Sequence, residues 1–138
     1  MSKGKIISSE RVSTGIEGLD YILKGGLPKN RLYLIEGNPG TGKTTMGLQF
    51  LLEGEQKGET GLYITLSESK EELIAVGNSH GWSLEHLTIY DLTVSGDSLT
   101  DDSSYTIFHP SEVELDETTK AVLSEVERVN PARVVFDS

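Results

Sequence analysis

Gly37-Asn38-Pro39-Gly40-Thr41-Gly42-Lys43-Thr44 places a glycine, four intervening residues and then Gly-Lys-Thr in one stretch, the spacing that lets a backbone loop close around phosphate. Before it runs Arg31-Leu32-Tyr33-Leu34-Ile35-Glu36, apolar and β-favouring. After it runs Thr45-Met46-Gly47-Leu48-Gln49-Phe50-Leu51-Leu52, too long and too leucine-rich for a loop. The pattern predicts strand, loop and helix in succession. Glycines let the loop turn tightly enough for successive N–H groups to point inward at phosphate oxygens. A helix starting near Lys43 adds its unpaired N-terminal donors and the positive end of its dipole. With a nucleoside triphosphate in the loop, Gly37, Asn38, Pro39, Gly40, Thr41 and Gly42 form the cradle. Lys43 sets a charge on the β- and γ-phosphates, and the Thr44 hydroxyl ligates Mg²⁺. Thr45 adds a hydroxyl or N–H near the α-phosphate.

Around this motif, 138 residues with 36% hydrophobic content make one domain with a real core. The apolar runs are too short to span a membrane, and Met1-Ser2-Lys3-Gly4-Lys5 lacks the apolar centre of a signal peptide, so a cytoplasmic location is expected. The absence of cysteine excludes disulfides, thiolate metal sites and cysteine catalysis. The net charge of −10 is uneven: residues 1–60 hold eight Lys/Arg against seven Asp/Glu, and residues 61–138 hold four against fifteen. So acidic a second half repels a phosphodiester backbone, which disfavours nucleic acid as a partner.

Taken in order, residues 1–10 are polar and expected to be loose. Ile16, Leu19, Ile22 and Leu23 have the spacing of a short amphipathic helix, expected to pack near the first strand, and Gly25-Gly26-Leu27-Pro28-Lys29-Asn30 ends it with a turn. The helix after the phosphate loop runs to about Gln56, with Lys57-Gly58 as its stop. Gly61 to Leu66 reads as a strand buried on both faces. Ser69-Lys70-Glu71-Glu72 has the capping-box arrangement and opens a helix carrying Leu73, Ile74 and Val76, closed at Gly81. Leu87 to Leu92 is a further strand. Residues 93–113, rich in Ser, Thr, Asp and Gly, read as a mobile excursion in which Thr106-Ile107-Phe108 could dock against the body. From about Asp116 a helix sets Val122, Val126 and Val129 on one face and stops at Pro131, and Arg133 to Asp137 is the last strand. This alternation predicts an α/β fold with a mostly parallel sheet and helices on both faces, its ligands bound beyond the carboxyl ends of the strands.

Two carboxylates fall at such ends. Asp137 closes an apolar strand, where a second ligand for Mg²⁺ is wanted, directly or through its waters; the competing reading is a turn former. Glu68 lies just past the Gly61 strand, where it could orient or deprotonate a water on the γ-phosphate; it could equally belong to the acidic first turn of the next helix. His80, His86 and His109 lack metal-ligand spacing and read as structural. Trp82 reads as core or interface, and no serine has a base partner suited to nucleophilic catalysis.

Ser13-Thr14-Gly15-Ile16-Glu17-Gly18-Leu19-Asp20, Gly25-Gly26-Leu27-Pro28, the Gly37–Thr44 loop, Tyr63 to Ser69 and Val134 to Ser138 together resemble the RecA-like ATPases of the KaiC family. The resemblance covers residues 11–138. It implies a RecA-type core, ATP with Mg²⁺, and homo-oligomeric rings, commonly of six subunits, with nucleotide at the interfaces. The family's pattern has two adjacent glutamates after the second strand, and here Ser67 stands at the first with only Glu68 retained. The resemblance also implies further strands after Asp137, one of them between it and the phosphate-loop strand, so a partial domain with an open sheet and a tendency to associate is expected. The implied function is an ATP-binding, slowly hydrolysing module whose nucleotide state controls ring assembly or partner binding in signalling, with autokinase activity left open. A recombinase-like protein that binds DNA under ATP control, and a scaffold that binds ATP without useful hydrolysis, are the alternatives.

Overall fold

In a computed structural model, residues 10–93 and 110–138 are described, without the side chains of 110–114. The elements in order are β1 (Arg11–Val12), α1 (Glu17–Ile22), β2 (Leu27–Pro28), α2 (Lys43–Gln56), β3 (Gly61–Thr65), α3 (Lys70–Ser79), β4 (Thr88–Asp91), α4 (Pro110–Val129) and β5 (Arg133–Asp137). The central sheet has the order β4-β3-β5, and both pairings are parallel. Leu62 lies opposite Thr88 on one side and Val134 on the other, and Thr65 lies between Asp91 and Asp137.

All five residues of β3 are buried, and their alternation divides the core. Tyr63 faces Leu48 and Leu51 of α2, with Leu73 of α3 and Leu84 and Leu87 completing that layer. Leu62 and Ile64 face the other way, joining Leu92 and the inner face of α4 at Ala121, Val122, Val126 and Val129. Helices therefore cover both faces of a parallel sheet, as the alternating pattern predicts. Close approach of α2 is permitted by Gly47, where a Cβ would sit 3.2 Å from Val135 and 3.6 Å from the Tyr63 ring. The capping box forms as read: the Ser69 hydroxyl accepts from the Glu72 N–H, and the Ser69 N–H donates to the Glu72 carboxylate.

Four expectations are corrected. Arg31–Glu36 joins no ladder among the described residues; Leu32 is 97% and Leu34 80% exposed. β-propensity expresses itself only where a partner strand supplies hydrogen bonds and a packing face, and among the described residues β5 pairs β3 alone. α1 forms but buries none of its own residues, leaving Tyr21 and Ile22 exposed instead of packed on a strand. Leu27–Pro28 forms β2 within the expected turn, pairing antiparallel with β1. The last helix starts at Pro110, six residues before the expected Asp116, with proline at a first-turn position that needs no N–H partner. The expected loose residues 1–9, the docking of Thr106-Ile107-Phe108 and His109 lie outside the described residues.

Arg133 ties the first residue of β5 to distant parts of the chain. It is 4% exposed, donates through Nε to Glu59 at 2.8 Å, and donates through Nη1 to the carbonyls of Ser13 and Phe50 at 2.7 and 2.8 Å. Its guanidinium also lies over the Phe50 ring, 4.7 Å from the centroid. A buried guanidinium needs several acceptors at once, and these come from the α2–β3 turn, from α2 itself and from the segment before α1.

Candidate phosphate and cation site

The loop before α2 bends at Gly40 (φ +84°) and Gly42 (φ +101°), both in the left-handed region that favours glycine. Gly42 is also the N-cap of α2 and offers no side-chain cap. The Lys43, Thr44 and Thr45 N–H groups stand in the first turn, where no helical acceptor precedes them. The first backbone bond across this end is from Met46 N–H to the Gly42 carbonyl at 2.9 Å. Thr41 stabilises the turn by donating to the Asn38 carbonyl at 2.8 Å, and a Cβ at Gly37 would lie 2.6 Å from the same hydroxyl. Pro39 and Gly40 form the exposed tip. The Lys43 ammonium folds back onto the loop, donating to the Gly37 carbonyl at 2.5 Å and the Asn38 carbonyl at 3.1 Å. A helix start with open N–H groups and a lysine within the loop is suited to a polyphosphate.

Across from the helix start lie the ends of β3 and β5. Thr44 donates to Glu68 Oε1 at 2.6 Å. Glu68 is held by a tight turn built on Thr65, whose buried hydroxyl accepts from the Ser67 and Glu68 N–H groups and donates to the Glu68 carbonyl at 2.7 Å. Ser67 is exposed and carries no carboxylate toward this point. Asp137 is reached through Tyr63, whose hydroxyl donates to Asp137 Oδ2 at 2.7 Å. Burial holds the Tyr63 phenol well above its ordinary pKa of 10, and the hydrogen bond to Asp137 and its negative charge push the same way, against a smaller lowering influence of Thr44. The phenol therefore stays a neutral donor.

Thr44, Glu68 and Asp137, from three separated segments, thus stand at the carboxyl end of the sheet: Thr44 bonds Glu68, and Asp137 lies opposite Thr65, on which Glu68 is held. Sequence reasoning passed over Tyr63 as one more apolar strand residue. The available signal was a phenol in a strand otherwise without a long polar side chain, two positions ahead of the strand end. It also passed over Arg133. His80 stacks on Trp82 with centroids 4.5 Å apart, and exposed His86 pairs with Glu85. Trp82 packs against the α2–α3 layer. Among the described residues no group of three or more His, Cys, Asp or Glu is arranged to hold a metal. A hydroxyl and a carboxylate beside a phosphate loop fit Mg²⁺, which keeps most of its waters and takes oxygens from phosphate. Among the described residues no helix is long and apolar enough to cross a membrane.

Comparison with known proteins places this geometry in context. The family model for the KaiC ATPase matches residues 12–138. A UPF0273 protein of Methanopyrus kandleri is 32% identical over 136 residues, covering 94% of this chain and 53% of that protein. The circadian clock oscillator protein KaiC of Picosynechococcus is 41% identical over 87 residues, covering 62% of this chain and 17% of that protein. The crystal structure of a KaiC-like protein from Pyrococcus horikoshii superposes with a TM-score of 0.72 at 30% identity, covering 94% of this chain and 54% of that one. The chain spans about half the length, or less, of the relatives it matches.

Proposed function

The chain belongs to the KaiC ATPase family, and from that premise we propose that residues 11–138 act as an ATP-binding, slowly hydrolysing module whose nucleotide state controls ring assembly or partner binding in signalling. The observation that carries this reading is the meeting of three separated segments: Thr44 is bonded to Glu68, Glu68 is held on Thr65, and Thr65 lies opposite Asp137 in the sheet. In this reading the N–H groups of the loop from Gly40 to Thr45 and the Lys43 ammonium take the phosphates. Lys43 then leaves the Gly37 and Asn38 carbonyls for the β- and γ-phosphate oxygens. Thr44 and Asp137 hold Mg²⁺, which when bound neutralises charge on the phosphates. Glu68 accepts a proton from, or orients, the attacking water, exchanging its bond to Thr44 for one to that water. A homo-oligomer, commonly a ring of six in this family, in the cytoplasm is the setting proposed; the acidic second half argues against nucleic acid as its partner.

Titration with ATP and Mg²⁺ tests the site. Lys43→Ala removes the charge that faces the phosphates and should abolish binding, and unchanged affinity would defeat the assignment. Glu68→Gln should leave ATP bound with phosphate release suppressed; an unaltered turnover rate would move the base elsewhere. A second reading, a nucleotide-responsive scaffold without useful hydrolysis, is favoured by one observation, the exposed Ser67 where the family pattern has a glutamate. Phosphate release measured beside ATP affinity separates the two.

A further inference from the structure

Tyr63 combines three properties that structural packing alone does not require. It is 1% exposed, its ring is fixed among Leu48, Leu51 and Leu73 under the close approach of Gly47, and its hydroxyl ends at Asp137 Oδ2. A phenylalanine would fill the same volume in that layer. The parallel register places Tyr63 opposite Val135 and Thr65 opposite Asp137, so Tyr63 reaches diagonally along one face of the sheet to the strand end. The phenol has one proton, and Asp137 receives it. Thr44 also has one hydroxyl proton, which is donated to Glu68, so its neighbour Tyr63 cannot receive it at the same time.

We propose that Tyr63 is a positioning residue for the divalent cation: its fixed phenol holds one oxygen of Asp137 and leaves the other free to face the cation or its water shell beside Thr44. This rests on the nucleotide reading above and adds to it a residue that touches neither phosphate nor metal. A neutral donor suits the task. It restrains the carboxylate without the positive charge that a lysine or arginine would set against Mg²⁺. Outer-sphere partners of this kind typically change metal affinity about 10- to 100-fold when removed.

The test is calorimetric titration with a non-hydrolysable ATP analogue, with Mg²⁺ and separately with EDTA, on the wild-type chain, Tyr63→Phe, Asp137→Asn and the double variant. The expected result is that Tyr63→Phe loses roughly tenfold in affinity with Mg²⁺ and nothing in EDTA, and adds nothing further in the Asp137→Asn background. Equal losses in both arms would mean that Tyr63 supports the fold alone, and independent losses in the double variant would mean that it does not act through Asp137. Either overturns the proposal. A wild-type chain that binds no analogue in either arm would instead defeat the nucleotide reading itself.

Discussion

Gly61–Thr65 and Arg31–Glu36 are both short apolar runs that lead toward the same end of the molecule, yet every residue of the first is buried and every residue of the second is exposed. The first has a parallel neighbour on each edge and a helix layer on each face. The second has no ladder among the described residues; its Tyr33 hydroxyl donates locally, to the Pro28 carbonyl five residues back, at 2.7 Å. A strand is therefore a property of its partners as much as of its own side chains. The site inherits this asymmetry. Glu68 and Asp137 stand on the ordered sheet, whereas the phosphate loop is fixed from its helical side, through α2.

The contrast can be broken by substitution, and the largest effect is expected within β3. Leu62→Ala removes a fully buried side chain and should cost about 3 kcal/mol in urea unfolding. A loss under about 1 kcal/mol would mean that the layer beneath α4 is not packed as described. Arg133→Ala strands Glu59 and the Ser13 and Phe50 carbonyls. Because Glu59 is one-third exposed and can regain water, the expected cost is smaller, about 2 kcal/mol. Hydrogen exchange should rise in the residue 11–15 segment, which Arg133 holds from 120 residues away.

A smaller effect belongs to acid. Glu53 accepts from Ser13 at 2.6 Å, and that bond, with Lys57 assisting, holds its carboxyl below the ordinary 4.5. A lowered folded pKa contributes stability that is present above the unfolded value and lost as pH falls through the folded one. Melting temperature should therefore fall below about pH 4.5, and Ser13→Ala should flatten that acid limb; an unchanged limb would remove Glu53 as a cause. The smallest stability change is expected at Leu34→Ala, within about 0.5 kcal/mol because the side chain is already in water. The same segment, with exposed Val134 and Phe136 on β5, an edge strand among the described residues, should drive self-association. Leu34→Lys should reduce association in sedimentation velocity, and an unaltered distribution would show that other surfaces mediate it.

What could be read from sequence follows the same division. The helix start at Lys43, the Ser69 capping box and the valine stripe at 122, 126 and 129 are local codes, written within a few residues of where they act, and each appears as read. Ser13-Thr14-Gly15 to Asp20 was legible as a family signature but not as a device. Thr14 donates through N–H and hydroxyl to Asp20, both at 2.8 Å, Ser13 donates to Glu53 and accepts from Arg133, and Gly15 is pressed against the Gln49 carbonyl where a Cβ would lie 2.9 Å away. The Arg133 clamp and the Tyr63–Asp137 bond join residues 74 or more apart, and spacing along the chain carries no trace of them. For Arg31–Glu36 the side chains favour a strand, and the missing information is the partner.

The most direct test is a crystal structure with a non-hydrolysable ATP analogue and Mg²⁺. The account predicts that Lys43 Nζ has left the Gly37 and Asn38 carbonyls for the phosphates, with Thr44 Oγ1 and Asp137 on the cation or its waters and Tyr63 still donating to Asp137. An analogue seated elsewhere, with Lys43 still folded onto its own loop, would contradict it.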